Sequence, residues 1–176
     1  MARPVLTLPG LHGSGPSHWQ SLWERRREGV TRVRQRDWAR PEREFWVASL
    51  ESAIAACAEP PVLAAHSLGC ITAVFWAFSG SNAAISGALL VSPTDTERED
   101  APPEIAGFRP IPMHRLPFPS ILVVSSTDPY LSVERSFGFA RAWGSRRVEI
   151  GPGGHINAAS GFGPWPQGEA LLDELL

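Results

Sequence analysis

Val62-Leu63-Ala64-Ala65-His66-Ser67-Leu68-Gly69-Cys70-Ile71 reads as a buried strand that stops at a small polar residue and passes directly into an apolar helix. It lies inside a longer stretch, Pro60 to Thr94, that holds no Asp, Glu, Lys or Arg. A membrane span needs about 20 unbroken apolar residues. This stretch is broken by His66-Ser67, by Ser79-Gly80-Ser81-Asn82 and by Ser92-Pro93, so its pieces are too short. A strand, a helix and a second strand, all buried, are instead the habit of a parallel sheet covered on both faces.

Outward from this segment, similar short runs recur at Val5–Leu8, Arg32–Gln35, Ala88–Val91, Ile121–Val124 and Val148–Ile150, which with Val62–Ala65 makes six candidate strands. Helix-like stretches lie between them, at about 17–28, 42–58, 68–79 and 131–143, and a last one runs from about 167 to the end. The alternation predicts an α/β three-layer sandwich with a mostly or wholly parallel sheet of about six strands and right-handed crossovers. Between 101 and 119, Pro102, Pro103, Pro110, Pro112, Pro117 and Pro119 oppose a long helix, because each lacks an N–H and constrains its predecessor. We therefore expect an irregular loop there, no cap domain, and one compact domain over residues 1–176.

Charge narrows the class of partner. The 16 basic residues are all Arg and nearly balance 18 acidic ones, for a net charge of −2, without the basic surplus of a nucleic-acid binder. The run from Arg25 to Arg43 is diluted by Glu24, Glu28, Asp37 and Glu42 and reads as a solvated face. Cys57 and Cys70 lack metal spacing or a CxxC pair, so buried thiols are expected rather than a disulfide framework or a zinc site. With no signal-peptide pattern at Met1-Ala2-Arg3-Pro4, the expected setting is cytoplasmic. The expected partner is a small molecule, not a nucleic acid or a membrane, and no cofactor is implied.

The chemistry centres on Ser67. A strand that runs into Ser with Gly at +2, followed at once by a helix, is the setting of a nucleophile elbow, with Ala65 where the G-x-S-x-G pattern has its first Gly. The bland alternative is a helix N-cap. A serine hydroxyl is a poor nucleophile unless a base takes its proton and a third group orients that base. Beyond Ser67 the histidines are His114, in the Pro-rich loop, and His155, in Gly151-Pro152-Gly153-Gly154-His155-Ile156-Asn157. His155 is the better base, since its Gly-rich approach permits a sharp turn over the sheet end. For the acid, Asp128 follows the run Ile121–Val124 in Ser125-Ser126-Thr127-Asp128-Pro129-Tyr130, and Asp95 is its rival after Leu90-Val91-Ser92-Pro93-Thr94. Asp128 is preferred because its strand should neighbour the one that delivers His155.

Acyl transfer also needs donors for a developing oxyanion. Leu68 supplies one backbone N–H, and the Gly-rich segment Leu8–Pro16 a second, from Leu11 or next from His12. That segment lacks the endings of a P-loop or a dinucleotide site. His66 is misplaced for a base and reads as a packing or pocket-edge residue. His18 and Trp19 open the first helix; they could line the pocket mouth, but a helix-start role is the preferred reading. An open, shallow cleft edged by Trp19, Phe108 or Phe118 would favour short acyl groups.

Taken together, Pro9-Gly10, Ser14-Gly15-Pro16, His18-Trp19-Gln20, His66-Ser67-Leu68-Gly69, Ser126-Thr127-Asp128-Pro129-Tyr130, Gly153-Gly154-His155-Ile156-Asn157 and Gly161-Phe162-Gly163-Pro164-Trp165-Pro166 give a chain that resembles the RBBP9/YdeN-like serine hydrolase family of small, lidless α/β-hydrolases. The resemblance covers nearly the whole chain, with Ala65 and His12 as places where the elbow and the oxyanion loop can differ. It implies Ser67, Asp128 and His155 as a catalytic triad, without a bound metal. The expected function is a carboxylesterase-like serine hydrolase that cleaves small esters or amides through an acyl-enzyme. The alternative is a binding protein on a hydrolase scaffold with little turnover.

Overall fold

The apolar runs pair into one six-stranded sheet in the computed structural model, which describes residues 3–176. In chain order the elements are β1 (Val5–Leu8), α1 (Trp19–Arg26), β2 (Val30–Arg32), α2 (Arg43–Ala55), β3 (Val62–His66), α3 (Leu68–Ala77), β4 (Gly87–Val91), β5 (Ser120–Val124), α4 (Val133–Trp143), β6 (Arg146–Glu149) and α5 (Pro166–Asp173). The strand order is β2-β1-β3-β4-β5-β6, and every neighbouring pair is parallel. This is the α/β-hydrolase arrangement in a small, capless form.

Period-two alternation divides the strands between two cores. Leu6, Leu8, Leu63, Ala65, Ala88, Leu90, Leu122 and Val124 face the layer of α2, α3 and α4, where Trp46, Leu50, Ile71, Phe139 and Trp143 pack. Val5, Val62, Ala64, Leu89, Val91, Ile121 and Val123 face α1 and α5, with Trp19, Trp23, Trp165 and Leu172. Each Leu, Val or Ile buried this way contributes roughly 1.5–3 kcal/mol over leaving it exposed. The central strands read as unbroken apolar runs because both of their faces are covered.

The structure differs in detail from the sequence expectation. β2 begins at Val30 rather than Arg32, because Gly29, at φ 78°, turns the chain out of α1 and brings Val30 opposite Val5. The Pro-rich stretch holds a 3-10 helix at Pro103–Phe108 that inserts Ile105 and Phe108 into the core. Phe108 is therefore fully buried and edges no cleft, and Phe118 lies away from the site beside Trp76, with ring centres 6.3 Å apart. Among the described residues no helix is long and apolar enough to cross a membrane.

Candidate active site

β3 ends at His66, and Ser67 makes the whole turn into α3 on a single residue with φ 57° and ψ −124°. A non-glycine residue rarely adopts positive φ, and such strain persists only where the surroundings over-determine it. Two glycines hold it here. A Cβ on Gly69 would lie 2.1 Å from the Leu8 carbonyl oxygen, so only Gly lets α3 seat against the end of β1. A Cβ on Gly10 would meet the Ser67 Cβ at 2.8 Å, so the loop after β1 can pass directly beneath the serine.

The loop after β6 carries His155 to the same point. Its Nδ1 lies 3.0 Å from both carboxylate oxygens of Asp128, and its Nε2 lies 2.9 Å from Ser67 Oγ. With Nδ1–H donating to the carboxylate, Nε2 is left to accept from the serine hydroxyl. The Asp128 side chain is 1% exposed, and its Oδ1 also accepts from the Tyr130 N–H at 2.9 Å. Asp95 is elsewhere: its Oδ2 lies 3.2 Å from Arg135 Nε, and its backbone N–H donates to the Tyr130 carbonyl. His114 is exposed on the Pro-rich stretch, against Phe78.

The loops after β5 and β6 are fastened to each other by side chains. Ser125 Oγ accepts from the Gly153 N–H at 2.8 Å, and Thr127 Oγ1 accepts from the Gly154 N–H at 3.0 Å. Ile156, β-branched and at φ 48°, is pinned by Trp19, whose Nε1–H donates to its carbonyl at 3.0 Å. These contacts set the position of His155 from below and behind.

The first residue of α3, Leu68, has an N–H that precedes the helical ladder. Among the described residues no backbone carbonyl takes the Leu11 N–H, whereas the His12 N–H donates to the Trp38 carbonyl at 2.7 Å and is spent. Leu11, Leu68, Ser67 and His155 border a cleft of about 360 Å³, with the His12 and Tyr130 side chains on its rim.

A family model described as serine hydrolase matches residues 5–174. The chain belongs to the serine hydrolase family. Among solved structures it is similar to a protein from Pectobacterium atrosepticum described as a YdeN-like hydrolase, at 35% identity over 98% of this chain and 89% of that one, with a TM-score of 0.87. The ydeN gene product of B. subtilis shares 20% identity over 99% and 98% of the two chains, with a TM-score of 0.79. A monoacylglycerol lipase from Paleococcus ferrophilus shares the fold, at 14% identity, 99% and 96% coverage and a TM-score of 0.73. No curated protein matches by sequence.

In this serine hydrolase family member, two further histidines stand behind His155. His66 Nε2–H donates to the His155 carbonyl at 2.8 Å, with the two rings 4.8 Å apart. His18 caps α1 by accepting the Gln20 N–H on Nδ1 at 3.2 Å, and its ring centre lies 4.8 Å from that of His66. Burial, then Arg32 and then His155, holds the His18 imidazole down to about 3. Burial also lowers His66 well below the ordinary imidazole range, with His155 and His18 adding to it. Both border a smaller hollow of about 210 Å³ on the far side of Ser67. Trp19 does not line the pocket mouth: it is fully buried, because its indole is the strut that holds Ile156.

Sequence reasoning missed several residues that shape this site. Gln20 is fully buried; its Nε2–H donates to the Ala64 carbonyl at 2.8 Å, and its Oε1 accepts from Ser14 Oγ at 2.6 Å, tying the loop after β1 to β3. Its signal in the sequence was its place in the His18-Trp19-Gln20 motif, which gave it no role. Among the described residues, no three of His, Cys, Asp and Glu gather so as to hold a metal ion.

Proposed function

We propose that this protein is a carboxylesterase-like hydrolase that cleaves small esters, and amides more slowly, through an acyl-enzyme on Ser67. The observation that carries this reading is the continuous chain of contacts from Asp128 through His155 to Ser67 Oγ, at 3.0 and 2.9 Å. His155 Nε2 takes the hydroxyl proton as Ser67 Oγ bonds to the carbonyl carbon, and Asp128 fixes the ring and stabilises the imidazolium. The carbonyl oxygen gains negative charge and is met by the N–H groups of Leu11 and Leu68. The imidazolium then gives its proton to the leaving alkoxide or amine, the carbonyl re-forms, and Ser67 is left acylated. Water, deprotonated by His155, repeats the sequence in reverse and releases the acid.

The chain is proposed to act as one domain, over residues 1–176. The free thiols of Cys57 and Cys70, the latter fully buried, suit a reducing, cytoplasmic setting. A fluorophosphonate probe combined with a p-nitrophenyl acetate assay tests the function. Wild type is expected to label and turn over, and Ser67→Ala to do neither at unchanged Tm, with kcat down by several orders of magnitude. A folded wild-type protein that does not label would make it a binding protein on a hydrolase scaffold.

A further inference from the structure

Next to Ser67 the cleft contains one charged side chain outside the triad, that of Arg98, and among the described residues no carboxylate lines it. The Arg98 side chain is only 16% exposed. Its Nη1 donates to Thr94 Oγ1 and to the Asp95 carbonyl, both at 3.1 Å, which fixes the guanidinium plane. Its Nε lies 2.9 Å from Asp100 Oδ1, but the N–H is not aimed at that oxygen, and the Asp100 side chain is 81% exposed. The guanidinium is thus anchored through Nη1, its Nε is buried, and Nη2 keeps its donors for another partner.

Its position relates it to the chemistry. The Arg98 guanidinium carbon stands 4.9 Å from the centre of the Tyr130 ring, and that ring meets the His155 ring edge-on at 4.7 Å. A single aromatic side chain separates the cation from His155. Leu11, Pro102 and Ile105 add apolar side chains to the lining of the same cleft. A cation, apolar side chains and the Ser67 hydroxyl lining one cleft complement a short ester that also carries an anion.

We infer that the substrate class is short esters carrying a carboxylate or similar anion, with Arg98 as the residue that selects for it. This rests on the hydrolytic reading above and adds to it a charge preference that a carboxylesterase need not have. A guanidinium that is weakly hydrated and held in one orientation makes charge-assisted hydrogen bonds to a carboxylate, here from Nη2, and a partly buried setting reduces its screening.

The test compares kcat/KM by proton release for two matched pairs: monomethyl glutarate against methyl pentanoate, with the charge on the acyl side, and 3-acetoxypropanoate against propyl acetate, with the charge on the alcohol side. At low salt at least one anionic ester is expected to exceed its neutral counterpart by about ten-fold, mainly through KM, and the pair that does so tells which half of the substrate faces Arg98. Arg98→Gln is expected to bring that ratio close to one, Arg98→Lys to restore part of it, and added NaCl to shrink it in wild type. Asp100→Asn, which removes the exposed competitor, should raise the ratio. Hydrolysis of the neutral esters as fast as or faster than both anionic ones, or a ratio unchanged in Arg98→Gln, overturns the inference alone. Should the Gln variant not fold, the wild-type ratios and their salt dependence decide. Turnover of none of the four esters overturns the proposed function and this inference with it.

Discussion

Behind His155 stand His66, His18 and Trp19, all at most 5% exposed, interlocked by ring contacts and by hydrogen bonds to the His155 and Ile156 carbonyls. In front stands Tyr130, 41% exposed, under the Arg98 guanidinium and open to the cleft. The rear is desolvated and neutral, and it fixes where the ring sits. The front is wet and cationic, and it meets what arrives. A change behind should therefore move stability and kcat, and a change in front should move KM and selectivity.

The largest effect expected within this division is that of Asp128→Asn, which holds the ring in the wrong tautomer and should lower kcat by up to about 10⁴-fold, as in the protease precedent. Asp95→Asn should change kcat by no more than a few-fold, because Asp95 serves Arg135. Equal losses in the two variants, measured at saturating ester, would break the assignment of the orienting acid.

Gly10→Ala should come next. Its methyl group would press on the Ser67 Cβ, and a misplacement of about 1 Å near reacting atoms can lower the rate by about 10²-fold. Intact kcat would show that the elbow has more room than the packing indicates.

Acid separates front from rear by another route. His18 holds its proton only near pH 3 in the folded protein, against 6.5 ordinarily, so the unfolded chain takes up a proton that the folded one refuses. This stability is fully present above pH 6.5 and is lost as pH falls, by about 2 kcal/mol at pH 5, with His66 acting in the same direction. Denaturant midpoints should fall between pH 7 and 5, and His18→Gln should flatten the trend. A stability curve flat over that interval would mean that the rear wall is not desolvated.

The smallest effects belong to the front. Each methylene added to the acyl chain contributes at most about 0.8 kcal/mol while it still finds cover in the cleft. We expect kcat/KM on p-nitrophenyl esters to peak at two to four carbons. A steady rise to eight carbons would describe a closed tunnel instead of an open cleft.

The parts of this arrangement that were legible in sequence are the local ones. A strand, one serine and a helix in succession specify the elbow at Ser67, and the Gly-rich turn before His155 is equally local. Asp128 was separable from Asp95 only by supposing that neighbouring runs become neighbouring strands, which β5 and β6 do. The Ser125 and Thr127 hydroxyls that fasten those two loops, and Gln20 reaching Ala64, depend on residues 28, 27 and 44 positions apart and left no periodic trace. Trp19 could be read as a rim residue only from its place beside His18 at the opening of α1. Its partner, the Ile156 carbonyl, could be found only in three dimensions.

The sheet has two open flanks, and neither invites another strand. β2 is three residues long, too brief a template, and β6 reads Arg146-Arg147-Val148-Glu149, with Arg146 paired to Glu174 and Arg147 held 2.6 Å from Glu149. Closely spaced charges along an unpaired edge make docking of a foreign strand expensive, because they would have to be desolvated in register. The arginines of the last strand thus act as a guard against aggregation, and replacing both with threonine would leave a smooth β-ribbon edge open to stacking.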